Sequence, residues 1–319
     1  MSEVMINGTE VWVERGGALA RAGLRLDPAE VQSLIEGIVG PAGARVDRAS
    51  PIVDVRLADG SRVSIVVPPV ALDGPCVAIR RFVLRRAVLE DFASPEVAAL
   101  LAAAVRQRVN MVVSGGTGSG KTTLLNALAA HVSHHERIVT IEDTAELRLG
   151  HPHVVRLEAR PPNTEGVGEV TVRALVKAAL RLRPDRILVG EARGAEVMDV
   201  LQAMNSGHAG SMSTCHANSP RDALRRLEAL ALLGGSDLSG SSLPGAFVRD
   251  QLIGAVQLLV QVRRSTGHAR QVTDVVVLGD GADWVSGEGL RPLVSHGRPV
   301  PGSRSPWPEL LGAMPGRAA

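Results

Sequence analysis

Met111-Val112-Val113-Ser114-Gly115-Gly116-Thr117-Gly118-Ser119-Gly120-Lys121-Thr122-Thr123 reads as an apolar strand that runs into a glycine-rich loop and then a helix. Gly115, four intervening residues and Gly120-Lys121-Thr122 fit the Walker A pattern G-x-x-x-x-G-K-[ST]. A polyphosphate is densely negative, so a loop that holds it must turn backbone N–H groups inward. Gly115, Gly116, Gly118 and Gly120 allow that close approach and the positive φ angles it needs. Thr117, Ser119 and Thr123 complete the loop. Lys121 supplies a charge for the β- and γ-phosphates, and the Thr122 hydroxyl is placed for Mg²⁺. The following helix, about 121–132, aims its N-terminal dipole at the anion and carries Leu124, Leu125 and Leu128 on an apolar face.

The composition limits the alternatives. A chain of 319 residues suggests two domains, and 45% hydrophobic content is ample for a core. Lys+Arg 35 against Asp+Glu 33 leaves no strong nucleic-acid footprint. With 2% aromatics and no Tyr, base-stacking platforms are not expected, and neither is direct nucleic-acid binding. Cys76 and Cys215 are far apart, which fits buried reduced thiols rather than a disulfide framework or a zinc knuckle. The N-terminus lacks the pattern of a signal peptide, and the Ala/Leu-rich stretch 97–105 is too short to span a bilayer. The expectation is a cytoplasmic protein, with peripheral attachment to a membrane complex left open.

Residues 3–6 and 11–14 flank Asn7-Gly8, a hairpin signal. Asp27-Pro28-Ala29-Glu30 has the form of a helix start, with the helix running to about 39. Strands follow at 52–57, 62–67 and 76–80. Residues 1–88 therefore read as an N-terminal α+β domain, PAS-like in outline, ending in a basic linker with Arg80, Arg81, Arg85 and Arg86. Over 89–281, helices at about 94–108, 171–182, 196–205 and from 219, and after a break at Gly234-Gly235 another at about 244–255, alternate with strands at 137–141, 153–157, 187–189 and 211–215; two further strands fall at 258–263 and 271–278. That alternation predicts an α/β domain, a RecA-like P-loop ATPase domain, with a mostly parallel sheet covered on both faces. Ligands in such sheets bind at the carboxyl ends of strands, where each polar motif here falls. Residues 282–319, rich in Gly, Pro, Ser and Arg, read as a loosely ordered tail.

Hydrolysis needs a group to position water, a metal shell and a charge stabiliser. Glu142, Asp143 and Glu146 follow the second strand and supply carboxylates for the metal or the water. Glu191 follows Ile187-Leu188-Val189 in the Walker B position, with Gly190 where an Asp is usual. His208 and His216 bracket the next strand; they are candidate phosphate sensors, with metal ligation the competing reading. Arg181, Arg183, Arg186 and Arg193 surround Walker B, and one could reach a phosphate across a subunit interface.

Residues 115–123, 141–147 (Ile-Glu-Asp-Thr-Ala-Glu-Leu), 180–194 (Leu-Arg-Leu-Arg-Pro-Asp-Arg-Ile-Leu-Val-Gly-Glu-Ala-Arg-Gly) and 207–219 (Gly-His-Ala-Gly-Ser-Met-Ser-Thr-Cys-His-Ala-Asn-Ser) resemble the type II/type IV secretion and pilus-assembly ATPase superfamily. The second and fourth look like its aspartate and histidine boxes, and Gly before Glu191 is usual there. Residues 66–82 are similar to the tight adherence (Tad/Flp) pilus ATPases, with conjugal type IV secretion ATPases close. A longer helical segment before the hairpin, common in members, and the tetracysteine zinc insert of many type II members have no counterpart.

The resemblance implies a cytoplasmic homohexamer that hydrolyses ATP with Mg²⁺ at the inner face of the cytoplasmic membrane, associated with it through a platform protein. It places the nucleotide between the two domains. It also implies that Glu146 positions water, that Glu191, with Thr122, acts on Mg²⁺ partly through water, and that His216 senses phosphate. Arg183 and Arg193 become candidates to act in trans, with Arg181, Arg80 and Arg81 behind them. The main expectation is a motor for pilus assembly or protein secretion. The rivals are a conjugation-type ATPase assisting DNA–protein export, a RecA-like nucleic-acid translocase, and a regulatory module that binds ATP without turnover.

Overall fold

The computed structural model describes residues 3–15, 18–81, 87–162, 166–239, 244–265, 269–283, 286 and 288–303. The chain divides into two compact units, residues 1–84 with 162–167, and residues 85–161 with 168–319.

In the first unit, β1 (Glu3–Asn7), β2 (Glu10–Arg15), β3 (Ala18–Arg25), α1 (Pro28–Val39), β4 (Ile52–Arg56), β5 (Arg62–Val66) and β6 (Cys76–Arg80) follow in order. Their antiparallel sheet runs β3-β2-β1-β6-β5-β4. Alternation along the strands sends Ile6, Val11, Val55, Val63, Ile65 and Val77 to one face, where Val31, Ile35, Ile38 and Val39 of α1 cover them. Asp27 caps α1 reciprocally: Glu30 N–H donates to its carboxylate and Asp27 N–H to that of Glu30, both at 2.8 Å. β3 has no sequence signal, because every residue in it is exposed at the sheet edge. Arg80 pairs with Glu3 of the neighbouring strand at 3.3 Å, and Arg81 is exposed. Arg85 and Arg86 lie outside the described residues.

The second unit contains α2 (Pro95–Arg106), β7 (Met111–Gly115), α3 (Lys121–Ala129), β8 (Ile138–Glu142), β9 (Val154–Glu158), α4 (Val172–Ala179), β10 (Arg186–Val189), α5 (Glu196–Asn205), β11 (Met212–His216), α6 (Pro220–Ser239), α7 (Gly245–Ala255), β12 (Leu258–Arg264), β13 (Arg270–Asp283), β14 (Glu288–Ser295) and β15 (Arg298–Pro299). The nine-stranded sheet runs β15-β14-β13-β12-β7-β11-β10-β8-β9. It is parallel from β12 to β9 and antiparallel beyond β12. Successive residues of each central strand serve opposite cores. Met111, Val113, Ile138, Leu188 and Met212 pack with α2 and α3. Val112, Val139, Ile187 and Val189 pack with α4 to α7. β7 is the switch point of the sheet, with β12 on one side and β11 on the other, so the crevice beyond its carboxyl end is the place for a ligand.

Three expectations need correction. α6 does not break at Gly234-Gly235 but runs on to Ser239. Gly234 is a contact point: a Cβ there would stand 2.3 Å from the carbonyl oxygen of Ala195. Residues 288–303 are not a loose tail; β14 and β15 extend the sheet, and Leu293 and Val294 are fully buried. Pro292 and the glycines disguise the strand, yet Leu290 and Val294 pair with Leu278 and Val275 of β13. Residues 304–319 lie outside the described residues, as do 163–165 of the Pro161–Gly166 loop. Cys215 is buried but Cys76 is exposed, against the expectation that both are buried.

Candidate active site

The Walker loop leaves β7 where His216, the last residue of β11, pairs with Gly115. Gly118 and Gly120 take φ of 69° and 97°, a region that favours glycine. At Gly115 a side chain is excluded, because a Cβ would stand 2.5 Å from both Ser119 Oγ and the Val262 carbonyl oxygen. A Cβ at Gly116 would meet nothing within 4 Å, so the space beside the loop is open at that residue. Lys121 Nζ donates to the carbonyl oxygens of Gly115 and Gly116, each at 3.1 Å. Burial pulls the Lys121 ammonium below its usual range, and the Glu191 charge opposes this. Thr122 and Thr123 stand in the first turn of α3 and are half-buried.

Three further strand ends converge on this loop. Glu191 follows β10, and its Oε2 accepts from Arg193 Nη2 at 2.7 Å; Arg193 also reaches Asp143 at 3.7 Å. Burial raises the Glu191 carboxyl, but Arg193 and Lys121 outweigh it, and the net position is below the usual range. The peptide after Glu191 is fixed by Glu196 Oε1, which accepts from Arg193 N–H and Gly194 N–H at 2.7 and 2.8 Å. His216 Nε2 lies 3.4 Å from Thr117 Oγ1, and burial, then Lys121, lowers its imidazole. Beyond β8, Glu146 is half-buried and within electrostatic reach of both Lys121 and Arg193.

The structure separates the three acids of the 142–146 turn. Glu142 is 3% exposed and faces inward. Its Oε1 accepts from the backbone N–H groups of Glu146 and Leu147, both at 2.8 Å. Gly190 is explained by the same side chain: a Cβ at 190 would stand 2.8 Å from Glu142 Cγ. Burial pushes the Glu142 carboxyl up to about 7, with the Glu146 charge adding and the two N–H groups and Arg156 of β9 opposing. An acid whose folded pKa is raised binds more protons folded than unfolded. Its unfavourable contribution grows as pH rises from about 4.5 to about 7 and reaches about 3 kcal/mol. Urea unfolding at pH 5 and pH 8 is expected to show this loss in the wild type and not in Glu142→Gln. An identical pH dependence in both proteins would exclude Glu142 as its source.

Other candidates lie elsewhere. His208 sits before β11, at the end of the strand away from the loop, with Nδ1 3.2 Å from the Ala203 carbonyl oxygen. The five-residue strand, ~16 Å long, separates it from His216. Arg181 and Arg183 are exposed ahead of β10, at the end opposite Glu191. Arg186 is fully buried and chelates Glu136 through Nε and Nη2, each at 2.8 Å, so it is unavailable to a neighbouring subunit. Sequence reading missed Arg264 and Arg270. Arg270 Nη1 donates to Thr123 Oγ1 at 3.2 Å, and a Cβ at Gly118 would lie 3.7 Å from Arg264 Nη1. These two guanidinium groups come from the β12–β13 hairpin, beside the loop only because β12 pairs with β7.

The sequence profile of the family described as "Type II/IV secretion system protein" matches residues 1–275. A protein of Mycobacterium tuberculosis, provisionally named a conjugal transfer protein, is 45% identical over 293 residues, which cover 87% of this chain and 80% of that protein. Conjugal transfer protein TrbB of Rhizobium radiobacter is 34% identical over 285 residues, covering 86% of this chain and 82% of its own. Among solved structures, the VirB11 ATPase of the Brucella suis type IV secretion system is 30% identical at a TM-score of 0.50, covering 86% of this chain and 92% of that one.

Proposed function

Because the chain belongs to the type II/IV secretion system protein family, and is an ATPase of the kind that powers secretion, we infer that the cluster at the carboxyl ends of β7, β8, β10 and β11 is where it hydrolyses ATP. The observation that carries this assignment is the convergence of Lys121, Glu146, Glu191 and His216 from four separate strand ends on one loop.

The phosphates would lie in the cradle of residues 115–120, against the N-terminus of α3, with Lys121 leaving its loop carbonyls for the β- and γ-phosphates. Mg²⁺ fits the donor set of a hydroxyl and a carboxylate: Thr122 would hold it directly and Glu191 through water. When bound it supplies charge neutralisation at the phosphates. Glu146 orients the attacking water and accepts its proton. His216, linked to the loop through Thr117, reads the state of the terminal phosphate. Arg193 is one candidate for action in trans, beside Arg181, Arg183, Arg80 and Arg81; within its own subunit it holds Glu191. Arg270, which donates to Thr123 Oγ1, and Arg264, beside Gly118, add positive charge next to the loop.

The working form is a homohexamer docked on a membrane platform protein, whose turnover moves subunits or cargo. Among the described residues no helix is long and apolar enough to cross a membrane. The conjugal-transfer names of the relatives favour export of a DNA–protein complex as a second reading beside pilus assembly.

The test is Mg²⁺-dependent ATP hydrolysis against protein concentration, with Lys121→Ala as the blank. Specific activity that rises with concentration and disappears in the variant supports shared sites in a ring. Equal activity in the two proteins would remove the assignment of the loop.

A further inference from the structure

We propose that Glu142 is a positioning residue for hydrolysis: its buried carboxyl group, wedged against Gly190, holds the 143–147 turn so that Glu146 stands at the nucleotide. The proposal rests on the role given to Glu146 above.

Two anchors fix the turn. From the sheet side, Glu142 Oε1 accepts from Glu146 N–H and Leu147 N–H. From the loop side, Asn126 Oδ1 in α3 accepts from Arg148 N–H at 2.9 Å, while Asn126 Nδ2 donates to the Thr122 carbonyl oxygen at 3.0 Å. The segment that carries Glu146 is therefore tied on one side to the helix that carries Thr122 and on the other to Glu142 at the end of β8, beside the strand that leads into Glu191. The Glu146 backbone N–H is one of the two groups Glu142 holds. On the β10 side the Glu142 side chain fills the space that a Cβ at 190 would need: such an atom would stand 2.8 Å from its Cγ, 3.3 Å from its Oε1 and 3.4 Å from its Cβ. The second oxygen of Glu142, Oε2, is buried without a hydrogen-bond partner among the described residues. Burying an oxygen in that way is costly. A side chain kept only for packing would be met more cheaply by Leu; the acceptor oxygen Oε1 is spent on the two turn amides.

Reach is the property that distinguishes positioning from charge. Aspartate keeps the acid but is shorter by one carbon–carbon bond, about 1.5 Å, and cannot reach both amides. Glutamine keeps the reach and the acceptor. The experiment compares Glu142→Asp and Glu142→Gln with the wild type in three readouts. These are kcat for ATP, affinity for a fluorescent ADP, and hydrogen exchange of the Glu146 and Leu147 amides without nucleotide. Glu142→Asp is expected to lower kcat by about 10²-fold, the scale of a 1 Å misplacement, to keep nucleotide affinity, and to lose protection at both amides. Glu142→Gln is expected to restore most of the lost turnover and the protection. If Glu142→Asp does not fold, Gly190→Ala displaces the intact carboxyl group and is expected to give the Asp pattern.

Reduced turnover with unchanged amide protection overturns the proposal, as does a Gln variant that is as impaired as the Asp variant. Lost protection with full turnover overturns it by another route, because it removes Glu146 from the chemistry.

Discussion

Glu146→Gln is expected to lower kcat for ATP hydrolysis by about 10²- to 10⁴-fold, the usual contribution of a positioned acid–base group. Gln keeps the shape of the side chain and its hydrogen-bonding reach but accepts no proton. Nucleotide affinity should persist, because the loop, Lys121 and the N-terminus of α3 are untouched. The placement supports a base: Glu146 is half-buried, close enough to Lys121 and Arg193 to feel both charges, yet not bound in the ion pair that holds Glu191. Turnover and binding of the fluorescent nucleotide are measured on the same preparation. Full turnover in this variant would return the role to Glu191, the other carboxylate at the loop.

Arg186→Ala is expected to destabilise the second unit by about 3–5 kcal/mol, the cost of breaking a buried pair from one side. Arg186 is fully buried at the start of β10. It grips both oxygens of Glu136, and its Nη1 donates to the Val105 carbonyl oxygen at 2.8 Å and approaches that of Gly210 at 3.5 Å. It thus ties together the end of α2, the approach to β8 and the entry to β11. Gly210 belongs to the same joint, since a Cβ there would stand 2.6 Å from Nη1. Truncation leaves Glu136 with Arg108 at 3.2 Å as its remaining ion-pair partner and removes one donor from the Val105 carbonyl, which keeps the Arg108 backbone N–H at 3.1 Å. Denaturant unfolding measures the loss, and the double variant Arg186→Met with Glu136→Gln should recover part of it. A loss below about 1 kcal/mol, the value of an exposed ion pair, would show that the joint does not bear on stability.

What could be read from the chain beforehand follows from how far apart the interacting residues are. The phosphate loop, the acidic turn and Glu191 are each continuous in sequence and lie beside apolar strands, so pattern and chemistry coincide. α1 was legible because Asp27 and Glu30 satisfy each other within one turn. Arg270 and Thr123 are 147 positions apart, and nothing local in either stretch announces their contact. The same holds for Glu142 and Gly190, whose mutual fit needs β8 beside β10. His208 and His216 look equivalent in sequence, and only the direction and length of β11 part them. Edge strands are the hardest to see. β3 buries no residue, and β14 breaks its alternation with Pro292, so neither carries the periodicity that marks a strand.

The unequal burial of the two cysteines makes the chain its own labelling scaffold. Cys215 lies sealed beside the loop with its thiol pushed up to about 11 by burial, so it presents almost no thiolate at neutral pH. Cys76, at the start of β6, is open to solvent. A maleimide dye or spin label added to the unaltered protein will attach at one place, on the first unit. Each subunit of an assembled ring would then carry a single reporter, and stepwise movement during turnover becomes observable without a designed cysteine.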